Sequence, residues 1–236
     1  MNSTRHGEEL LTWVENSFGH VFLQPALCYA AVTHRSAGAE HNERLEFLGD
    51  AILNCSVARL LYDAHPLVDE GGLSRLRATL VSGETLAKIA AELGLGEHLL
   101  LGPGELKTGG FRRASILADA LEALLGAIFL DSGFEAGAAA VRRIVGPRLA
   151  DLPAADALKD PKTRLQEALQ ARGLALPVYT LTAVAGDPHV QSFTVRCEVP
   201  VFELAAVGEG GSRRRAEQLA AAKLLDMLPP EMRKSE

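Results

Sequence analysis

The stretch Asn42-Glu43-Arg44-Leu45-Glu46-Phe47-Leu48-Gly49-Asp50-Ala51-Ile52-Leu53 constrains the fold more than any other. Read as a helix, it puts Glu43, Glu46 and Asp50 at i, i+3 and i+7, on one face. Leu45, Phe47, Leu48, Ala51 and Ile52 fill much of the remaining circumference, which predicts burial of the helix. Like charges at these spacings repel, and an unpaired buried carboxylate is costly. No basic residue shares that face. The helix therefore calls for an outside cation, and hard oxygen ligands suit Mg²⁺ or Mn²⁺.

Acidic residues three apart on a helix usually form a solvated face. A second occurrence shifts the balance: Ile116 to Leu125 sets Asp119 and Glu122 at i, i+3 among small and apolar residues. Two such helices packed together would gather five carboxylates into one metal site.

The rest of the first 150 residues reads as helical. Helices are expected over 8–18, 25–33, 42–62, 73–82, 84–93, 115–130 and 135–149. Asn42 is expected to cap the acidic helix, Pro66 to end it, and 67–72 to form a turn. Gly102 to Arg113 is expected to be a flexible loop. Its glycines with Lys107-Thr108 suggest a phosphate loop, but the spacing fails and no strand leads in. Lys107, Arg112 and Arg113 could touch a phosphate backbone or simply solvate the loop.

Residues 151–159, around Leu152-Pro153-Ala154, read as a linker. Beyond it the texture changes. Asp160-Pro161 starts a helix, as N-cap and N1, which runs to Arg172. Strand patterns follow at Val178 to Ala185, Phe193 to Val199 and Leu204 to Val207. Arg213-Arg214-Arg215 then leads into a last helix ending at Leu228. The order is α-β-β-β-α.

With 236 residues and 47% hydrophobic composition, the chain can bury a real core in one or two domains. It has no apolar run long enough for a membrane helix and no signal-peptide pattern at its start. Cys28, Cys55 and Cys197 form no Cys-x-x-Cys pair, so a zinc knuckle or disulfide framework is not expected and a reducing cytoplasm is. The net charge of −6 is uneven. Residues 159–236 hold 11 basic and 10 acidic groups, net +1, leaving −7 for residues 1–158. Such acidity argues against nucleic acid as partner, unless part of it is a metal site that inverts the local sign.

His41-Asn42-Glu43-Arg44-Leu45-Glu46-Phe47-Leu48-Gly49-Asp50 resembles the signature of ribonuclease III, the bacterial double-stranded-RNA endonuclease. The 102–113 loop, the Asp119-x-x-Glu122 helix and the α-β-β-β-α tail follow in that family's order, so the resemblance spans about residues 8 to 228. It implies an all-α nuclease domain over 8–133, with a helical extension to about 150. It also implies an α+β double-stranded-RNA-binding domain over 160–229 and a homodimer formed through the nuclease domain. Glu46, Asp119 and Glu122 match the family's metal ligands. Asp50 matches a catalytic carboxylate at the same metal, and Glu122 is equally essential. Glu43 and Glu70 match further acidic positions lining the catalytic valley.

The resemblance further implies Mg²⁺-dependent hydrolysis, with Mn²⁺ an acceptable substitute. Products should carry 5′-phosphate and 3′-hydroxyl ends with short 3′ overhangs. The expected roles are ribosomal RNA precursor processing and messenger RNA maturation or decay in the cytoplasm. RNA contacts are expected from Thr163, Gln166 and Glu167 on the first tail helix, from His189 in the 186–189 loop, and from Arg213, Arg214 and Arg215. Glu217 departs from the pattern, standing where a third basic residue is common.

Three other functions share parts of this pattern. Di-metal oxidases need Glu-x-x-His, but Gly49 and Leu125 stand three after Glu46 and Glu122. All-α nucleotide pyrophosphohydrolases share the paired carboxylates but need no RNA-binding tail. A non-catalytic binding protein on this fold would have lost one or more of the acidic groups, and all are present.

Overall fold

The computed structural model describes residues 2–187, 189–229 and 232; Pro188, in the expected 186–189 loop, lies outside the described residues. The chain divides into two compact units, Met1–Ala155 and Asp156–Glu236.

The first unit is helical: α1 (Asn2–Phe18), α2 (Pro25–Val32), α3 (Glu43–Ala64), α4 (Glu70–Leu80), α5 (Gly83–Glu92), α6 (Pro103–Lys107) and α7 (Ala114–Val145). Its centre is the pairing of α3 with α7. Leu53 and Leu61 from α3 and Leu121, Leu124, Leu125 and Ile128 from α7 are fully buried. Helix α7 is apolar on almost every side, as a helix surrounded by others should be.

The two backbones meet at glycine. A Cβ on Gly49 would stand 1.7 Å from the Glu122 carbonyl oxygen, and one on Gly126 would stand 2.2 Å from that of Leu45. Helices cross this closely only where side chains are missing. Because Gly49 lies beside Asp50 and opposite Glu122, the same crossing brings the acidic segments together.

Several local expectations are corrected. Helix α4 starts at Glu70, not Leu73, because the Asp69 carboxylate accepts the Gly72 N–H at 2.6 Å and caps it. Residues 67–72 are therefore only partly a turn, and Glu70 sits in a first helical turn. Asn42 is buried and precedes α3, but its side chain makes no cap hydrogen bond; its backbone N–H goes to the Thr33 carbonyl. The 102–113 segment is a short helix, α6, and a 3₁₀ turn at Gly110–Arg112, joined at Gly109 with φ 75°. The expected helices at 115–130 and 135–149 are two arms of α7, broken at Gly133 (φ 83°, ψ −177°) and ending at Val145.

An ordering device invisible in the sequence is Asp131. Its buried carboxylate accepts the Leu23 and Gln24 backbone N–H groups at 3.0 and 2.8 Å and pairs with His20 at 2.8 Å. Burial alone would raise its pKa, but these donors hold it below the ordinary carboxylate range. It pins the segment before α2 to the end of the first α7 arm.

The second unit runs α8 (Pro161–Gln170), β1 (Val178–Ala185), β2 (Ser192–Val199), β3 (Leu204–Gly210) and α9 (Arg213–Met227). The sheet is antiparallel in the order β1-β2-β3, with Val195 opposite Gly208 and Cys197 opposite Ala206. Val195, Cys197 and Val199 alternate inward on β2. Cys197 and Val199 share a core with Leu165 and Leu169 of α8 and Ala220 and Leu224 of α9. Strand β3 extends three residues beyond the expected Val207. No helix among the described residues is long and apolar enough to cross a membrane.

Candidate metal centre and duplex-binding face

Helix α3 supplies Glu46 from its first turn, and α7 supplies Asp119 and Glu122. One carboxylate oxygen from each lies within 4.8 Å of the others, and all three residues are half-buried. Asp50, one α3 turn beyond Glu46, is exposed; its Oδ1 accepts the Asn54 Nδ2–H at 2.7 Å.

Electrostatics mark the cluster. Burial, then the charges of Asp50, Glu46 and Asp119, pushes Glu122 from its ordinary 4.5 up to about 8. Glu46 is raised by burial, then by Asp119, Glu43 and Asp50, against the pull of Arg35. Asp119 is raised by burial, opposed by His34 and Arg35. Clustered carboxylates with poor internal compensation fit a hard divalent cation with an oxygen ligand shell.

Glu43 behaves differently. Arg35 donates to it at 3.1 Å and His41 stands 3.8 Å away, so the expectation of an unpaired acidic face fails at this residue. Arg35 arrives from the segment between α2 and α3, out of reach of a helical-face argument. Glu70 is exposed and accepts from the Ser74 hydroxyl at 2.8 Å; it is not among the three clustered residues.

A cleft opens beside the cluster, lined by His34, Arg35, Glu46, Asp119, Glu105 and Arg113 among others. One wall is the 102–113 segment. Ser36 holds it, accepting the Gly102 N–H at 2.9 Å, and Thr33 forms a parallel bridge to Leu100. Arg113 is tied to Glu105 at 3.0 Å, Arg112 stacks on Phe111, and Lys107 is exposed.

In the second unit Thr163, Gln166 and Glu167 share the exposed face of α8, with Glu167 bonded to Lys159 at 2.9 Å. His189 is exposed in the β1–β2 loop. Arg213, Arg214 and Arg215 open α9, whose N-cap Ser212 accepts the Arg215 N–H. Arg213 donates to Glu217 at 2.9 Å, whereas Arg214 and Arg215 have no acidic partner among the described residues.

Comparison with known proteins decides the family. The family model "Ribonuclease-III-like" matches residues 24–149, and "Double-stranded RNA binding motif" matches 161–228. Ribonuclease 3 of Thiobacillus denitrificans is 57% identical over 208 residues, covering 88% of this chain and 92% of that protein. The chain belongs to the ribonuclease III family. Ribonuclease 3 of Vibrio cholerae is 53% identical over 90% of this chain and 95% of its own length. The nuclease domain of ribonuclease III from Campylobacter jejuni, described as flexible in a region involved in dimer formation, superposes with a TM-score of 0.57. It is 40% identical and covers 59% of this chain and 99% of that domain. As a ribonuclease III, the chain is an endoribonuclease with a helical nuclease part and a double-stranded-RNA-binding part, and it belongs to a family that depends on divalent metal.

Glu122 has a folded pKa above its unfolded one, so the metal-free fold holds the proton more tightly than the unfolded chain does. The stability this group contributes is present below pH 4.5 and lost as pH rises toward 8. A cation needs the ionised form. The rise in Tm on adding Mn²⁺ should therefore be larger at pH 8 than at pH 6, as read by thermal unfolding. Glu122→Gln should flatten that difference; an unchanged pH dependence in this variant would remove Glu122 from the site.

Proposed function

We propose that the chain hydrolyses double-stranded RNA with Mg²⁺, for which Mn²⁺ substitutes, leaving 5′-phosphate and 3′-hydroxyl ends with short 3′ overhangs. The observation that carries this reading is the convergence of Glu46, Asp119 and Glu122, with Glu122 held near pKa 8 by burial and its acidic neighbours. These three would hold the ion, joined by Asp50, which keeps its Oδ2 without a protein partner among the described residues. A bound Mg²⁺ supplies a water of lowered pKa and offsets charge on the phosphate oxygens. Glu43 and Glu70 add acidic groups to the catalytic valley. Residues 8–133, extended to about 150, form the nuclease domain; 151–159 link it to a duplex-binding domain over 160–229.

Dimerisation is part of the proposal. Phe47, expected inside, is 81% exposed, and Tyr62 on the same face is 69% exposed. Ala51 and Cys55 lie between them and are also exposed. An apolar stripe on a central helix is unusual unless something covers it. A second copy would cover it and set two acidic clusters across one duplex, one for each strand.

For the duplex-binding domain, Thr163, Gln166, Glu167 and His189 are suited to minor-groove contacts, and Arg213–Arg215 to phosphates at a helix N-terminus. Lys107, Arg112 and Arg113 extend the basic contacts near the cluster. Replacing Arg213, Arg214 and Arg215 with alanine should weaken duplex binding and flatten its salt dependence. Arg214 and Arg215 should account for most of the change, because Arg213 is already paired. An unchanged salt slope in filter binding would exclude all three from phosphate contact.

The expected cellular roles are ribosomal RNA precursor processing and messenger RNA maturation or decay in the cytoplasm. The test of the activity is incubation of a long RNA duplex with and without Mg²⁺, followed by sizing and end analysis. Products with 3′-phosphate or cyclic phosphate ends would contradict a water nucleophile.

A further inference from the structure

Glu217 departs from the pattern the family resemblance implies: a carboxylate inside the basic start of α9, where repulsion of RNA phosphates is the simple expectation. The structure gives it other partners. Its Oε2 accepts from Lys162 Nζ at 2.5 Å and its Oε1 from Arg213 Nε at 2.9 Å. The side chain is only 12% exposed. Hydrogen bonding to Lys162, working against burial, keeps its carboxyl below the ordinary range.

Lys162 belongs to the first turn of α8, and its ammonium also sits over the Tyr179 ring of β1, 4.6 Å from the centroid. The next residue on α9 repeats the link. Gln218 Nε2 donates at 2.6 Å to Asp160 Oδ2, while Asp160 Oδ1 accepts the Lys162 N–H and caps α8. Adjacent α9 residues thus hold the N-cap and first turn of α8.

These are the two helices that carry the proposed contacts, Thr163, Gln166 and Glu167 on one and Arg213 to Arg215 on the other. A-form RNA is read across successive minor grooves and the phosphates between them, so the spacing of the two contact sets has to match the duplex. Fixing that spacing before binding reduces the ordering cost of association.

We propose that Glu217 is a positioning residue for duplex binding: held in place along α9 by Arg213, it locks the start of α9 to the start of α8 through Lys162, at the spacing the RNA requires. The inference rests on reading the second unit as the duplex-binding domain. It carries a counterintuitive consequence. Removing this negative charge weakens RNA binding, although the domain becomes more positive and Arg213 is released.

The experiment is duplex binding by the full chain without divalent ion, over a range of salt, with thermal unfolding measured alongside. Glu217→Gln should raise Kd for a perfect duplex roughly fivefold or more, the range of coupling in a shared network. Lys162→Met should do the same without lowering the salt slope, because Lys162 acts through Glu217 and not on phosphate. The double variant should bind no worse than the weaker single one. In cleavage assays the loss should appear in KM, with kcat unchanged.

Equal or tighter binding by Glu217→Gln would overturn the proposal, as would additive losses in the double variant. If Glu217→Gln does not fold, Lys162→Met decides alone: a salt slope reduced by about one makes it a direct phosphate contact and ends the positioning role. If instead the triple alanine variant of Arg213–Arg215 binds duplex normally, the reading of this face as the RNA surface fails, a result distinct from failure of Glu217 alone.

Discussion

Replacing Glu122 with glutamine is expected to abolish cleavage of double-stranded RNA while leaving duplex binding largely intact. The rate should fall roughly 10³-fold or more, the scale of losing a group that organises charge at the reacting phosphate. Glutamine keeps the volume and one oxygen of the side chain, so the half-buried site stays filled. It cannot ionise, and Glu122 is the member whose charge is held most firmly in check, by burial and then by Asp50, Glu46 and Asp119. The same change relieves repulsion in the metal-free protein, so the variant should be no less stable than the parent at pH 8. Cleavage of a labelled duplex, gel-shift binding and thermal unfolding together check this. Equal loss of cleavage and binding would assign Glu122 a folding role.

The second large effect concerns stability. Gly49→Ala should destabilise the nuclease domain by about 3 kcal/mol or more, at or beyond the upper range of overpacking. The added methyl would stand 1.7 Å from the Glu122 carbonyl oxygen, a backbone atom that cannot swing aside. Relief requires α3 and α7 to separate, which also pulls Glu46 and Asp50 away from Asp119 and Glu122. Activity should therefore fall with stability. Gly104→Ala is the control: no atom lies within 4 Å of its added Cβ, and an exposed change of this kind stays within about 0.5 kcal/mol. Urea unfolding of both variants tests the pair, and equal stability would contradict the glycine crossing.

The acidic residues were legible because helical periodicity alone puts Glu43, Glu46 and Asp50 on one face, and the second acidic helix repeats the signal. The periodicity said nothing of Arg35, which reaches Glu43 from an irregular segment. It placed Phe47 with the apolar residues but could not say whether this chain or another copy covers it. The glycine of Leu48-Gly49-Asp50 stood in plain view, but its use as the contact point of two backbones emerges only when α7 is laid against α3.

Asp131 illustrates a deeper limit. Besides His20, its partners include two backbone N–H groups more than a hundred residues earlier, and backbone groups leave no trace in residue type. Glu217 read as a departure from a basic pattern because its partner Lys162 lies 55 residues away. In the 102–113 segment the glycines suggest flexibility, yet Pro103 at a helix start and Gly109 with positive φ build a short ordered turn.

The central claim is that α3 and α7 together hold a divalent cation. The most direct measurement is anomalous scattering from a crystal of the protein grown with Mn²⁺. The account predicts a Mn²⁺ ion bound by carboxylate oxygens of Glu46, Asp119 and Glu122. No ion there at saturating Mn²⁺, with Glu122 turned away from Glu46 and Asp119, would contradict it.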